Sequence, residues 1–209
     1  MRKRDRIGTR VVGITLLMFI ILLALTIVIM VNNSKKSVEG TIGQQAISVA
    51  TNIAKYIDEE KFQQFLADPV ENDLYWELRE QLNDLREKNG VLYAYTYAVP
   101  KSNEGGAEFL IDGMPIDDNE NAAKIGDVSG STTVEHLQQA KEEGSYKTDI
   151  VESEYGQFVS GTIPLKNASG EIYAYLGVDI DASYVKTITD KVAQSVLPTV
   201  VLIFIVVTV

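Results

Sequence analysis

Three patterns predict an α+β protein in which a long N-terminal helix and a five-stranded antiparallel sheet are flanked by transmembrane helices. The run Val11–Val31 has 21 residues without a charge, which is enough to cross a hydrocarbon core of about 30 Å as a helix. Downstream, apolar residues recur at spacings of three and four, which indicates an amphipathic helix. Near the C-terminus, Glu171–Asp181 alternates between an aliphatic face and a polar, tyrosine-rich face, which indicates a half-buried strand.

The first apolar run follows a basic segment, residues 1–10, which holds five arginine and lysine residues against one acidic residue. This asymmetry predicts a cytoplasmic N-terminus and a transmembrane helix over residues 11–31. A cleaved signal peptide is the alternative, but the run exceeds the roughly 7–15 residues of a signal-peptide core and no small-residue cleavage site follows it. Residues 196–209 predict the start of a second transmembrane helix, and we expect the rest of that helix and a cytoplasmic output domain to follow it.

The part of the chain between the apolar runs, residues 32–195, carries most of the acidic residues. The whole chain has a net charge of −10 although its first residues are basic. Because phosphate is also negative, nucleic acid is not an expected partner. Cysteine is absent, which excludes a disulfide framework and a thiolate metal site.

Two helices are expected before the first strand. Residues 34–66 form one helix with a single apolar seam, which suits parallel pairing in a dimer, packing under a sheet, or both. Residues 71–88 form a second helix, with leucines inward and Asn89-Gly90 as its stop. Trp76 lies off the leucine stripe and either caps a ligand pocket or anchors the helix to neighbouring structure.

Five strands are expected after these helices, over residues 91–99, 107–112, 145–152, 157–165 and 171–181. The first strand places three tyrosines on one face and small residues on the other. The acidic connection Gly113–Gly130 is long, which is typical of functional or disordered segments. A short helix with an N-cap among Ser131–Thr133 ends at Gly144, and Asp181 is a suitable N-cap for a helix that begins at Ala182.

The last strand pair carries a family resemblance. The string YGQFVSGTIPLKNASGEIYAYLGVDID, with Tyr155-Gly156, Ser160-Gly161, Pro164, Gly170 and Gly177-Val178-Asp179, resembles the end of an extracytoplasmic Cache domain. Cache domains are the PAS-like sensor modules of bacterial chemoreceptors, sensor kinases and membrane diguanylate cyclases. The resemblance implies a single Cache domain over residues 32–195, adjacent first and last strands, and a Gly113–Gly130 segment that closes over a pocket. In Cache modules that bind amino acids, the aspartate that ends the last strand pairs with the ligand amine, and Asp179 matches that position.

The tyrosine-rich face is the candidate ligand site, because a pocket for a small polar ligand needs apolar walls and a few convergent polar groups. The candidate ligand-binding residues are Tyr95, Tyr97, Asp112, Tyr146, Thr148, Ser160, Tyr173, Tyr175 and Asp179, with Thr162 as a further hydroxyl. Alternatively, Asp179 contacts no ligand and has only a structural role at the end of the strand. The Arg-x-Trp-Tyr motif that clamps the carboxylate in amino-acid-binding Cache domains is missing, which favours a cationic or neutral ligand over a standard α-amino acid.

No catalytic set is found, and no cofactor or metal is expected. The only histidine, His136, lies on a polar helix, and Gly-x-Ser-x-Gly, P-loop and His-Glu-x-x-His motifs are absent. The acidic stretch 117–121 lacks the glycine and the terminal glutamate of an EF-hand, so a solvated loop is the better interpretation.

These features predict the sensor region of a methyl-accepting chemoreceptor in the bacterial cell membrane, with its sensor domain extracytoplasmic. Its expected partners are a small-molecule ligand, the lipid bilayer, a second copy in a homodimer and, through the output domain, cytoplasmic signalling proteins. A histidine kinase or diguanylate cyclase is the alternative output. A membrane-tethered enzyme and a ligand-free structural or partner-binding module are the two alternatives of a different class.

Overall fold

The computed structural model describes residues 3–118 and 121–185, together with Thr187, Lys191, Gln194 and Pro198. The predicted second transmembrane segment therefore lies outside the described residues except for Pro198, as do Asn119 and Glu120 of the acidic stretch. The described residues belong to two compact units, one formed by residues 39–183 and the other including residues 3–38 with Tyr184 and Val185.

The described helices are α1 (Lys3–Ala54), α2 (Glu59–Ala67), α3 (Asp73–Asn89) and α4 (Val134–Glu143). The strands are β1 (Tyr93–Tyr97), β2 (Gly106–Asp112), β3 (Val128–Thr133), β4 (Tyr146–Lys147), β5 (Val151–Ser153), β6 (Gly156–Lys166) and β7 (Ile172–Asp181). The sheet order is β3-β2-β1-β7-β6-β4, with β5 also paired to β6, and every pairing is antiparallel.

The predicted α+β fold is confirmed, as is the adjacency of the first and last strands, because β1 pairs with β7. The sheet differs from the five predicted strands in two places. The predicted middle strand is split into β4 and β5, and β3 is an additional strand that begins inside the connection expected to be irregular. The hairpin of β6 and β7 turns at Gly170, whose φ of 82° lies in the left-handed region that glycine tolerates.

The helix expected over residues 34–66 is two helices. The first, α1, begins at Lys3, includes the apolar run that is long enough to cross a membrane, and ends at Ala54. The side chain of Asp58 then accepts a hydrogen bond from the Lys61 amide and begins α2 as its N-cap. The prediction of one helix is wrong because this local cap competes with continuation of α1. α3 and α4 begin and end close to their predicted bounds, with left-handed glycines at Gly90 and Gly144.

One face of the sheet, here called the helix face, packs on α1, α2 and α3. Three residues of the apolar seam predicted for residues 34–66, namely Ile42, Ala46 and Ile53, are buried. α1 approaches β6 so closely that a Cβ at Gly161 would lie 2.6 Å from the carbonyl carbon of Ala46. This packing uses the seam within the domain itself.

The strict alternation predicted for β7 fails at its first residues. Between the pairs Leu165–Ala174 and Lys166–Ile172, β7 contains one extra residue, Tyr173. Such a bulge moves the following side chains to the opposite faces. Ile172 consequently packs on the tyrosine side of the sheet, whereas Tyr173 packs on the helix face, with its ring 5.6 Å from that of Phe62.

Candidate functional site

The opposite side of the sheet, here called the tyrosine face, is a second small core. Its buried members come from β1, β2, β7 and α4: Tyr95, Tyr97, Ala107, Leu137, Ala140 and Tyr175, with Tyr93, Phe109, Tyr146 and Ile172 at the edge. Leu137 and Ala140 of α4 are fully buried against it. α4 therefore covers this face. The family resemblance had implied that the Gly113–Gly130 segment would close over it.

A buried hydrogen bond joins β1 to β7 at the centre of the tyrosine face. The Tyr95 hydroxyl donates to Oδ1 of Asp179 over 2.7 Å, and both residues are at least 95% buried. Gly177 lies between them in the sheet, and a Cβ there would overlap the Tyr95 ring. The absence of a side chain at Gly177 lets this ring lie flat on β7 and reach the carboxylate.

Burial dominates the electrostatics of this pair. It raises the pKa of Asp179 to about 6, and the Ser160 and Tyr95 hydroxyls offset part of that rise. Burial also raises the pKa of Tyr95 well above its ordinary value. Asp179 is therefore a carboxylate whose charge is only partly compensated, which is the condition in which a cation would bind favourably.

Asp112 brings a second buried carboxyl group to the same face, because it pairs in register with Tyr95. Its Oδ2 accepts a hydrogen bond from the Ala123 amide over 2.8 Å, whereas its Oδ1 is buried without a hydrogen-bond partner. Burial raises the pKa of Asp112 to about 6, and Asp112 in turn raises that of Asp179. The two carboxyl groups therefore disfavour each other's ionisation.

Four buried side-chain oxygens in the described part of the chain lack a hydrogen-bond partner, namely Asp112 Oδ1, Thr132 Oγ1, Ser160 Oγ and Thr162 Oγ1. Ser160 and Thr162 pair with Asp179 and Gly177, which places both hydroxyls on the tyrosine face beside the Tyr95–Asp179 bond. The Ser160 hydroxyl is close enough to favour the ionised form of Asp179 but lies outside hydrogen-bond geometry. Buried polar groups are nearly always satisfied, so such a cluster marks a place where a polar ligand would gain hydrogen bonds.

Two arginines of α3 hold the start of the Gly113–Gly130 segment. Arg79, which is fully buried, donates to the carbonyls of Met114 and Pro115 over 2.9 and 2.8 Å, and Arg86 donates to the Gly113 carbonyl over 3.1 Å. The far end of the segment is tied to β2 by hydrogen bonds between Phe109 and residues 126–127. Both ends are therefore anchored, and a large closure of the whole segment would have to break these bonds.

The structure brings most of the predicted site residues together. Those on or at the rim of the tyrosine face are Tyr95, Tyr97, Asp112, Tyr146, Thr148, Ser160, Tyr175 and Asp179. Tyr173 is the exception, and its assignment to this face is wrong because of the bulge. Thr148 is near, but its hydroxyl already accepts a hydrogen bond from the Ser160 amide over 3.0 Å.

Two residues of the site, Phe109 and His136, are not predicted by the sequence patterns. Phe109 contacts both central tyrosines, with ring centroids 5.3 Å from Tyr95 and 4.9 Å from Tyr97. The alternation of Ala107 and Phe109 in β2 is a signal that could have placed it there. His136 also belongs to the rim, since its ring stacks on Tyr146 at 4.2 Å. No local pattern indicated that contact, because it joins α4 to β4.

The described cavities lie away from the tyrosine face. A void of about 10 Å³ lies on the helix face among Ile57, Phe62, Leu78 and Leu82, and an open groove of about 200 Å³ follows the β1–β2 turn. The tyrosine face is closely packed by its own side chains, since Tyr95, Tyr97 and Tyr175 are each at least 95% buried. Within the described residues, no three histidine, aspartate or glutamate side chains converge where a metal ion could bind.

No family model matches the chain, and no curated protein matches it. Among solved structures it is similar to the E. coli DcuS sensor domain, at 13% identity and a TM-score of 0.48 over 71% of this chain and 95% of that one. It is also similar to the sensory domain of the Campylobacter jejuni chemoreceptor Tlp3, at 14% identity and 0.46 over 84% and 67%. A third is the V. cholerae histidine kinase DctB sensor domain, at 11% identity and 0.49 over 76% and 58%.

These neighbours are sensor domains of bacterial receptors, which is the class that the sequence resembles. This chain spans just over half the length of the DctB sensor domain and about two thirds of the Tlp3 domain.

Proposed function

We propose that this chain is the sensor region of a bacterial transmembrane receptor and that its tyrosine face recognises a small ligand outside the cytoplasm. The observation that carries the proposal is the cluster of unpartnered buried oxygens next to the Tyr95–Asp179 bond. Leaving such groups unsatisfied costs about 1–3 kcal/mol each, so a ligand that supplies hydrogen bonds there recovers free energy on binding. The membrane-crossing length of α1 and the basic N-terminus support the location.

The ligand that fits this face best carries an amine. Two buried carboxyl groups, Asp112 and Asp179, face aromatic side chains, and aromatic rings together with carboxylates attract cations. A cation would favour the ionised forms of both acids. Since the pKa of each is about 6, an amine should bind more weakly below pH 6, where these groups are protonated.

Signalling would follow from a shift in conformational populations. Asp179 lies two residues before the end of β7, and the chain continues from Asp181 into a helical turn at Ser183–Val185. A ligand held by Asp179 would favour one position of β7 and hence of the helix that follows. A chemoreceptor is the first choice for the output of the whole protein, and a histidine kinase or diguanylate cyclase is the second.

The close packing of the tyrosine face favours a second candidate, a structural or partner-protein-binding module. Leu137 and Ala140 of α4 already occupy the space over the tyrosines. In such a protein the same fold would join α1 to the output without any small ligand.

Thermal unfolding of the full chain in lipid nanodiscs tests the two candidates. We expect one or more compounds from a panel of amines, amino acids, organic acids, nucleosides and divalent cations to raise the melting temperature. The rise should vanish in Asp179→Ala and persist in the control Asp149→Ala, which removes an exposed carboxylate. If no compound shifts the melting temperature of the folded protein, the structural module becomes the better description.

A further inference from the structure

The geometry points to Tyr95 as a built-in occupant of the ligand site, which a ligand must displace from Asp179 before it can bind. This inference rests on the proposed function and concerns how the site is kept closed. Tyr95 contributes a hydrogen-bond donor to Oδ1 of Asp179 at 2.7 Å, the same type of contact that an amine would make. An incoming donor and the Tyr95 hydroxyl therefore compete for one carboxylate.

The position of the Tyr95 ring supports displacement over simple addition of a ligand. The ring lies directly on the backbone of Gly177, whose cross-strand partner on β6 is Thr162. The Tyr95 hydroxyl reaches Asp179, whose cross-strand partner on β6 is Ser160. The ring thus lies beside the Thr162 hydroxyl and offers it only carbon atoms, whereas the Tyr95 hydroxyl lies near Ser160 but outside hydrogen-bond geometry.

Departure of this one side chain would convert a packed face into a site. The space vacated would be bordered by Gly177 below and by Asp179, Ser160 and Thr162 at the side, so one carboxylate and two hydroxyls would become available together. The ligand that replaces the side chain should be no larger than a phenol group. It should carry a cationic donor at one end, which excludes large amines and polyanions.

Tyr95 and Tyr97, the two tyrosines at the centre of the face, differ in their hydrogen-bond partners. The Tyr97 hydroxyl donates to Ser129 Oγ over 3.1 Å and has no hydrogen bond to either carboxylate. The rings of Tyr95 and Tyr97 are 5.0 Å apart and similarly buried. Tyr97→Phe is therefore a matched control that removes a hydroxyl from the same environment without freeing Asp179.

Affinity measurements on the full chain in nanodiscs test the inference, with methylammonium, ethanolamine and putrescine as probes and acetate as the anionic control. Wild type, Tyr95→Phe, Tyr97→Phe and Asp179→Ala are titrated by calorimetry at pH 7.5. Removal of the competing hydroxyl should tighten binding of the preferred amine by about tenfold or more in Tyr95→Phe. Tyr97→Phe should show no such gain in affinity, because its hydroxyl does not compete for Asp179, and Asp179→Ala should lose binding.

Nitration of the wild-type protein gives a second readout that needs no variant to fold. Tyr95 should resist tetranitromethane in the free protein and become nitrated, by mass spectrometry, when the bound amine moves its ring out. If wild type binds an amine through Asp179 but Tyr95→Phe binds no tighter, or Tyr95 stays unreactive, the displacement is refuted while the proposed function stands. If no protein binds any probe or any compound of the wider panel, both are refuted.

Discussion

Removal of the buried charge at Asp179 should stabilise the folded protein at neutral pH. The pKa of Asp179 is about 6 in the folded state against an ordinary value of 3.8, because the residue is buried. A tenfold change in an acid dissociation constant corresponds to ~1.4 kcal/mol, so ionised Asp179 costs the fold about 3 kcal/mol above pH 6. Asp179→Asn keeps an oxygen that can accept the Tyr95 hydrogen bond and removes this cost.

The sign of the pH dependence follows from proton binding. Between pH 3.8 and about 6 the folded state binds more protons at Asp179 than the unfolded chain does, so this residue makes stability fall as pH rises through that range. Asp179→Asn should therefore match wild type near pH 4 and exceed it by about 3 kcal/mol at pH 7.5. His136 acts in the opposite direction, because burial lowers its pKa, and variant and wild type must be compared at each pH.

Urea unfolding of the full chain in nanodiscs provides the assay. Trp76, the only tryptophan, packs on Tyr75 and Arg79 in α3 and reports the packing of the helix face through its fluorescence. Asp149→Asn, at an exposed position, is the control that should leave the pH profile unchanged. Equal stabilities of Asp179→Asn and wild type at pH 7.5 would refute the reasoning, since they would show that burial does not disfavour this charge.

Three further substitutions probe the packing around the site by the same assay. Arg79→Met should destabilise the fold by about 3 kcal/mol, because two loop carbonyls lose their buried donor, and a loss under 1 kcal/mol would contradict that role. Gly177→Ala should cost about 1–3 kcal/mol through overlap with the Tyr95 ring, and much less in a chain that already carries Tyr95→Ala. His136→Ala should cost about 1 kcal/mol by removing the reciprocal cap with Thr133, which His136→Gln should restore.

Local patterns in the sequence determined the elements of this protein. The uncharged run within α1, the stop signal of α3, the cap and stop signals of α4, and the alternation of β1 and β7 depend on neighbouring residues and were readable without a structure. The same alternation placed Tyr95, Tyr97, Tyr175 and Asp179 on one face, because side chains in a strand point alternately to its two sides.

Tertiary contacts decided what that face is. The bulge that moves Tyr173 to the helix face, the cover supplied by α4 and the ring of Tyr95 over Gly177 each depend on residues far apart in sequence. Burial also gives Asp112 and Asp179 their raised pKa values, and burial is a property of the assembled sheet and helices. Sequence periodicity specifies the direction of a side chain, whereas the atoms that meet it there are set by the packing of the whole domain.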